Sequence, residues 1–298
     1  RLQGLELGAS QLICNQDRRF LAAEQVKDLA SNIDIVLEPM GRNTAPAVII
    51  AALRLQQQGN DAPMLVLSAD HAIEDEDCFR EAVLTAIARA NQGHIVTLGI
   101  TPTFACTGYG YIHYGDVVDM VSDTYQIKEF VEKPNSAIAE KYLASKQYMW
   151  NSGMFIVRPS VLIQEALSHC PNLVGQCQIT VDAIQQDLDF IRLPKTAFAH
   201  CDSISIDYAI MEPTQKAVVV PMDCGWSDVG DLLALWQANT KDTDGNVQNG
   251  DVLAINSQNC LIKAQHRLVT VLGVERLAIV ETKDAVLVAQ LDEAQAVK

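Results

Sequence analysis

Met64-Leu65-Val66-Leu67-Ser68-Ala69-Asp70-His71 opens the unit that decides the fold. Its first four residues are all apolar and read as a short strand buried on both faces. A helical period follows over residues 76–91, with Phe79, Val83, Leu84, Ile87 and Ala88 on one side and Gly93 as its stop. The next apolar run covers residues 94–100. Upstream, Asp34-Ile35-Val36-Leu37 reads as a strand. Residues 45–58 read as a helix with Val48, Ile49, Ala52, Leu53 and Leu55 on a broad apolar face. Repeated strand–helix–strand units predict an α/β fold with a mostly parallel sheet covered on both faces.

Further along, the texture is more mixed. Residues 127–131 and 154–157 read as strands, and 137–145 and 159–168 as helices. Residues 203–213 read as a short helix ended by Pro213, and 231–239 as the last clear helix. After about Lys241, turn signals recur at Asp244-Gly245-Asn246, Asn249-Gly250 and Ser257-Gln258-Asn259. Short β-branched runs fill 252–255, 261–262, 268–272, 277–280 and 285–288. This spacing predicts a boundary near residue 241, with a large domain over 1–240 and a small β-solenoid over 241–298.

The chain of 298 residues is 49% hydrophobic and 20% charged, as expected for a globular protein with a sizeable core. Its net charge of −15 argues against nucleic acid and anionic membranes as partners. An acidic protein that binds phosphates must gather positive charge locally or recruit a metal ion. No apolar run reaches the length of a membrane span, and no signal-peptide core follows the first residues. The eight cysteines include no Cys-x-x-Cys pair, and there is no Asn-x-Ser/Thr sequon. Both fit reduced thiols in a cytoplasmic protein.

Phe130-Val131-Glu132-Lys133-Pro134-Asn135 sets a carboxylate beside an ammonium, just before a rigid proline. In an extended segment the two side chains point to opposite faces and do not pair. One can take sugar hydroxyls while the other takes a phosphate. With Trp150-Asn151-Ser152-Gly153-Met154-Phe155 a helix length later, the stretch predicts a phosphorylated sugar as ligand. For Lys133 taken singly, an ordinary surface lysine is the alternative.

Asp70 ends an apolar strand, where ligands of open α/β sheets collect. It is a candidate metal ligand; a turn or helix cap is the alternative. Gly225-Trp226-Ser227-Asp228-Val229-Gly230-Asp231 offers Asp228 as a partner carboxylate, and Asp231 reads as a helix N-cap. Two carboxylates can hold one Mg²⁺ while the ion keeps positions for phosphate oxygens. Glu38-Pro39-Met40-Gly41-Arg42-Asn43-Thr44-Ala45-Pro46 joins a strand to a helix, with Thr44 as N-cap and Asn43 able to donate and accept at a base or sugar edge. Thr107-Gly108-Tyr109-Gly110-Tyr111-Ile112 either brings backbone amides to a substrate hydroxyl or forms a tight turn. There is no Gly-x-Ser-x-Gly, Gly-x-Gly-x-x-Gly or Walker loop, and the six histidines show no metal-ligand spacing. Those absences argue against hydrolase, dehydrogenase and P-loop readings.

In this order, the segments 38–46, 67–71, 108–112, 130–134, 150–155, 205–212 and 225–230 resemble the mannose-1-phosphate guanylyltransferase family. Their likeness is to the bacterial type, sometimes fused to a phosphomannose isomerase domain. The resemblance implies a nucleotidyltransferase core with a Rossmann-like mixed, mostly parallel sheet, followed by a short β-solenoid. It implies transfer of GMP from GTP to mannose 1-phosphate, giving GDP-mannose and pyrophosphate by in-line displacement. By the same resemblance, Asp70 and Asp228 hold Mg²⁺, Glu132 and Asn151 bind sugar hydroxyls near the Gly110 backbone, and Lys133 binds the sugar phosphate. Glu38, Asn43 and Thr44 line the guanosine pocket. Asp70, Lys133 and Asp228 are thus the expected catalytic set. A homo-oligomer is left open.

Members of that family open with a strand, a Gly-Gly-x-Gly-x-Arg-Leu-type loop that cradles the triphosphate, and a Pro-Lys pair. No such loop occurs in this sequence, and Arg1-Leu2 opens in what reads as the helix beyond it. The expectation is a fragment lacking that strand and loop and any isomerase domain. Its turnover is expected to fall by several powers of ten, since one transition-state donor is worth roughly 10²–10³. Its exposed sheet edge is expected to make it unstable. Two other readings stay open: a transferase for another base or sugar, and a silent sugar-nucleotide-sensing paralogue.

Overall fold

The structure is a computed structural model and describes residues 2–27, 29, 33–119 and 123–296. By internal contacts it divides into two compact units, Arg1–Ser68 with Glu76–Asp223, and Ala69–Asp75 with Cys224–Lys298. The second unit thus begins ahead of the change in sequence texture near 241 and takes in the segment that carries Asp70.

The strands of the first unit are β1 (Ser10–Asn15), β2 (Ile33–Glu38), β3 (Met64–Val66), β4 (Ile95–Ile100), β5 (Tyr111–Asp119), β6 (Thr124–Val131), β7 (Tyr148–Val157), β8 (Gln185–Asp187), β9 (Phe190–Arg192) and β10 (Ala217–Pro221). Its helices are α1 (Arg19–Val26), α2 (Thr44–Gln57), α3 (Glu76–Ala90), α4 (Ser136–Ser145), α5 (Pro159–His169), α6 (Pro171–Asp182) and α7 (Lys195–Phe198). One sheet has the order β1-β2-β9-β8 and the other β3-β7-β4-β10-β6-β5. The expected mixed α/β sheet is present. Its mostly parallel character holds in the first sheet, where β1, β2 and β9 pair in parallel. In the six-stranded sheet only β4 and β10 do so, because β7 runs antiparallel between β3 and β4 and β5–β6 is a hairpin.

The continuous apolar runs of β4 and β10 are buried because helices and neighbouring strands leave neither face to water. Ala45, Val48, Ile49 and Leu53 of α2 pack in one core with Leu162 and Ile163 of α5 and Leu173 and Val174 of α6. The sequence reading names no element for β1, α1, β5, α6, α7, β8, β9 or β10. Residues 2–9, expected to open in a helix, form none, and the first regular element is β1. Strand β7 is longer than the 154–157 of the sequence reading, because a bulge lets it continue past Gly153. A step of two along β4 (Thr97 to Gly99) faces a step of four along β7 (Phe155 to Asn151), and Gly153 takes φ +69°.

In the second unit, α8 (Leu232–Ala238) begins at the predicted cap: Asp231 Oδ1 accepts from Ala234 N at 2.7 Å. Six strands follow: β11 (Val247–Asn249), β12 (Val252–Ile255), β13 (Leu261–Ala264), β14 (Val269–Leu272), β15 (Leu277–Glu281) and β16 (Val286–Gln290). Parallel ladders β11-β13-β15 and β12-β14 make a solenoid, which antiparallel β16 extends at one side. Val247, Leu261, Ala278 and Leu291 form its core beneath Leu232, Leu233, Leu235 and Trp236 of α8. Gly250, at φ +89°, carries the tightest turn, since a Cβ there would sit 1.8 Å from the Ala264 carbonyl oxygen. Among the described residues no helix is long and apolar enough to cross a membrane.

Candidate functional site

Glu132, Lys133, Gly110 and Asn151 come together in the first unit. Gly110 directly precedes β5, and its carbonyl accepts from Asn151 N at 2.8 Å. A Cβ on Gly110 would stand 2.6 Å from Glu132 Oε2 and 3.3 Å from Asn151 Cβ. A backbone position without a side chain is therefore what lets the Glu132 carboxylate lie against this strand.

The premise that Glu132 and Lys133 lie in an extended segment fails. Strand β6 stops at Val131, and Lys133 takes the left-handed conformation with φ +47°. That turn brings Lys133 Nζ to 3.5 Å from Glu132 Oε1, so the two do pair. The Glu132 side chain is 11% exposed and that of Lys133 61%. With the lysine end in solvent the pair is weak, and an incoming anion can take the ammonium from it.

The bulge in β7 aims Asn151 into the same place. Its Oδ1 lies 2.9 Å from Thr97 Oγ1 and accepts from Gly153 N at 3.2 Å. Its Nδ2 donates to Asp207 Oδ1 at 2.9 Å. Asp207 opens a single π-turn, Asp207–Met211, closed by Glu212 N on the Asp207 carbonyl at 2.9 Å. Such turns recur at functional sites. The sequence reading gives Asp207 and Thr97 no role. The available signal was an acid inside a short helix that proline then stops.

The electrostatics of this corner run against ionisation. Burial holds the Glu132 carboxyl above its ordinary range; the Asp207 charge adds to this and Lys133 opposes it. Burial also raises Asp207, against hydrogen bonds from its own backbone, Asn151 and Ser205 and the attraction of Lys133. Glu212, which accepts from the Glu132 backbone N–H, is raised by burial and by Asp207. Three acids thus share this corner with one ammonium, an arrangement that favours hydroxyl donors and a cation.

Glu38, Asn43 and Thr44 lie on the segment joining β2 to α2. Burial pushes the Glu38 carboxyl up to about 7, and its Oε1 has no hydrogen-bond partner. The N-cap of α2 is Asn43 rather than the expected Thr44: Asn43 stands at φ +64° and its Oδ1 accepts from Thr44 N at 2.9 Å. Thr44 is the first helical residue, and its hydroxyl accepts from Ile206 N at 2.9 Å. Ala45 N donates to the Ile204 carbonyl at 3.1 Å. These two bonds tie the start of α2 to the segment that ends in Asp207. A cleft of about 320 Å³ opens beside Pro39, at the carboxyl ends of β2 and β9, with Arg192, Lys195 and Gln16 in its wall.

Asp70 and Asp228 both belong to the second unit. Ala72 and Ser227 form an antiparallel bridge, with N–O distances of 2.8 and 3.1 Å in the two directions. The Trp226 indole donates to His71 Nδ1 at 3.2 Å, with the rings edge to face. The two carboxylates flank this bridge, one on each segment. Asp228 is no helix cap: its Oδ1 accepts from Gly230 N at 3.1 Å in a short turn ahead of α8. Among the described residues no three His, Cys, Asp or Glu side chains gather as a metal cluster. Two oxygen-only carboxylates do suit Mg²⁺, which usually keeps several waters and binds through one or two carboxylates plus substrate phosphates.

A helix-covered mixed sheet with a polar corner at a strand bulge, followed by a parallel solenoid, defines an α/β protein with a C-terminal β-solenoid. The chain belongs to the nucleotidyl transferase family, whose model matches residues 4–245. A second model, described as a MannoseP isomerase/GMP-like beta-helix domain, matches residues 250–298. A mannose-1-phosphate guanylyltransferase of Klebsiella pneumoniae is 48% identical over 301 residues, covering 100% of this chain and 64% of its own length. One from Escherichia coli is 47% identical over 300 residues with the same coverage. The chain therefore spans about 64% of the length of these curated relatives. A solved structure from Thermus thermophilus, described as a mannose-1-phosphate geranyltransferase, superposes with a TM-score of 0.81 at 31% identity. The match covers 96% of this chain and 81% of that one.

Proposed function

We propose that this chain is part of an enzyme that transfers GMP from GTP to mannose 1-phosphate, giving GDP-mannose and pyrophosphate. The observation that carries this reading is the 47–48% identity, along the whole chain, to relatives named for that activity. The corner at Gly110 supports it from the physical side. There a nearly buried carboxylate and a strand-held amide can meet sugar hydroxyls, and the exposed Lys133 ammonium beside them can meet the phosphate on the anomeric carbon.

The phosphate oxygen of mannose 1-phosphate is anionic at neutral pH and needs no general base. It attacks the α-phosphorus of GTP, the bond from that phosphorus to the bridging oxygen breaks, and pyrophosphate leaves with the electron pair. The protein's task is positioning and neutralisation of charge. Lys133 orients the attacking phosphate. Glu38, with a free Oε1, can accept from the N–H edge of guanine, and Asn43 and Thr44 stand nearby on the same segment. Asp70 and Asp228 are the residues that would hold Mg²⁺. When bound, the ion offsets triphosphate charge that a chain of net −15 would otherwise repel.

The test is pyrophosphate release by the purified protein, expressed from its complete reading frame, with GTP, ATP, UTP or dTTP paired with mannose or glucose 1-phosphate. We expect GTP with mannose 1-phosphate to lead in kcat/KM by at least about 100-fold, since a site built on hydrogen bonds rejects a ligand lacking them by more than an apolar pocket does. Release that is equal across the bases, or absent with GTP, refutes the reading. In the same protein Asp228→Asn should remove turnover and leave the melting temperature unchanged. Undiminished turnover would take Asp228 out of the metal site.

A further inference from the structure

We propose that Asp207 is a positioning residue of the sugar half of the site, acting through the side-chain amide of Asn151. This rests on the reading of that corner as the sugar-phosphate subsite.

An asparagine amide can present either its oxygen or its NH₂ group to a given neighbour, and here the neighbours leave one choice. Gly153 N–H can only donate, so the atom it meets at 3.2 Å must be Oδ1. That leaves Nδ2 as the atom 2.9 Å from Asp207 Oδ1, and an amide NH₂ can only donate, so the carboxyl oxygen is the acceptor. Thr97 Oγ1, fully buried on β4, holds the oxygen side at 2.9 Å and shares its single hydrogen with the Met154 carbonyl at 3.2 Å. With both sides fixed, one Nδ2 hydrogen remains for a ligand. The Asn151 side chain leaves its strand at the place where the Glu132 carboxylate lies, since Asn151 Cβ and Glu132 Oε2 both stand against Gly110. One donor next to one acceptor is the pattern that recognises neighbouring hydroxyls of a sugar ring. Remove Asp207 and the NH₂ side loses its restraint. The donor is then no longer held in place before the ligand arrives, and binding bears that ordering cost.

Asp207 is itself well fixed. It opens the π-turn, and the residues just before it are bound to the N-terminus of α2 by Ile206 N on Thr44 Oγ1 and Ala45 N on the Ile204 carbonyl. The role assigned is to hold Asn151, with no contact to the sugar.

The experiment compares Asp207→Ala and Asp207→Asn in the whole protein. Steady-state KM is read separately for mannose 1-phosphate and GTP, and calorimetric titration with mannose 1-phosphate alone gives a readout that needs no turnover. Asp207→Ala should raise the sugar KM and Kd about tenfold or more and leave the GTP KM within twofold. Asp207→Asn, whose amide oxygen still accepts from Asn151, should stay within about threefold on both substrates. An unchanged sugar Kd in Asp207→Ala overturns the inference. So does an Asp207→Asn variant as impaired as Asp207→Ala, since the carboxylate charge would then act directly. If Asp207→Ala does not melt cooperatively, Thr97→Val carries the test, because it removes the shorter of the two bonds that hold the oxygen side of the same amide with little change in volume. A raised sugar Kd supports the inference and an unchanged one overturns it. A wild-type protein that uses another sugar 1-phosphate refutes the mannose reading but leaves this inference standing, with the same comparison made on that sugar.

Discussion

Gly110 is a residue at which the proposed binding role and stability can be tested apart. The added methyl of Gly110→Ala would fall 2.6 Å from Glu132 Oε2, the far end of a flexible side chain that can swing aside. That swing, with a few tenths of an ångström of give at Asn151 Cβ 3.3 Å away, should lower melting by about 2–4 °C, a cost of about 1 kcal/mol. The displaced carboxylate should raise the sugar 1-phosphate KM at least tenfold, as enzyme kinetics beside a thermal melt will show. Glu38 makes a prediction in pH. Its folded value is about 7 against an ordinary 4.5, so between those limits the folded state binds more proton than the unfolded chain. The stability it contributes is full below about 4.5 and is lost as pH rises through 7. Glu38→Gln cannot ionise and escapes that loss. Relative to the parent it should gain on the order of 2 kcal/mol by pH 8, after discounting for partial exposure, and almost nothing near pH 4.5. Equal gains at both pH values in denaturant titrations would contradict this.

At the scale of elements, the second unit depends on buried polar ties. Glu281, 2% exposed at the end of β15, accepts from the backbone N–H groups of Gln265, His266 and Arg267 at 2.9, 2.8 and 3.3 Å. The His266 backbone bond leads the effects that hold its carboxyl below the ordinary range; those of Arg267 and Gln265 add to it, against burial. The stability it gives is therefore present above the unfolded value and lost as pH falls through the lower folded one. Glu281→Gln should lower the melting of this unit at pH 7, with the deficit shrinking at acid pH where the parent protonates. Asp231→Ala removes the cap bond to Ala234 N and should cost about 1 kcal/mol. Element type was legible in the sequence for strongly periodic stretches: α2, α3, α4, α5 and the solenoid strands β12 to β16 sit within a residue or two of their patterns, while β11 has none. Strands of three residues, such as β8 and β9, are too short to carry a period. Helix α6 follows α5 after Cys170 alone, so no loop signal marks the join. Strand β7 is masked by its own bulge, where Asn-Ser-Gly reads as a turn.

For the whole molecule the dominant global quantity is charge. A net −15 on 298 residues repels itself in the compact state, and salt screens that repulsion. Raising NaCl from about 20 to 300 mM should lift the melting temperature by about 2 °C or more. A flat response would mean that local ion pairs already balance the excess. The sequence by itself determined the α/β class, the change to a solenoid, and most of the residues that meet at the Gly110 corner. Each of these is written in local periodicity, in turn chemistry or in a short run of residue types. Tertiary structure decided what local pattern cannot carry. The left-handed turn at Lys133 turns two side chains expected on opposite faces into a pair. The register shift between β4 and β7 aims Asn151 at Asp207, some 56 residues away in the chain. Whether an acid stands alone, or meets a specific amide and a specific glycine, depends on which strands pair and in what register. That is set by the packing of the whole sheet, not by the neighbours of any one residue.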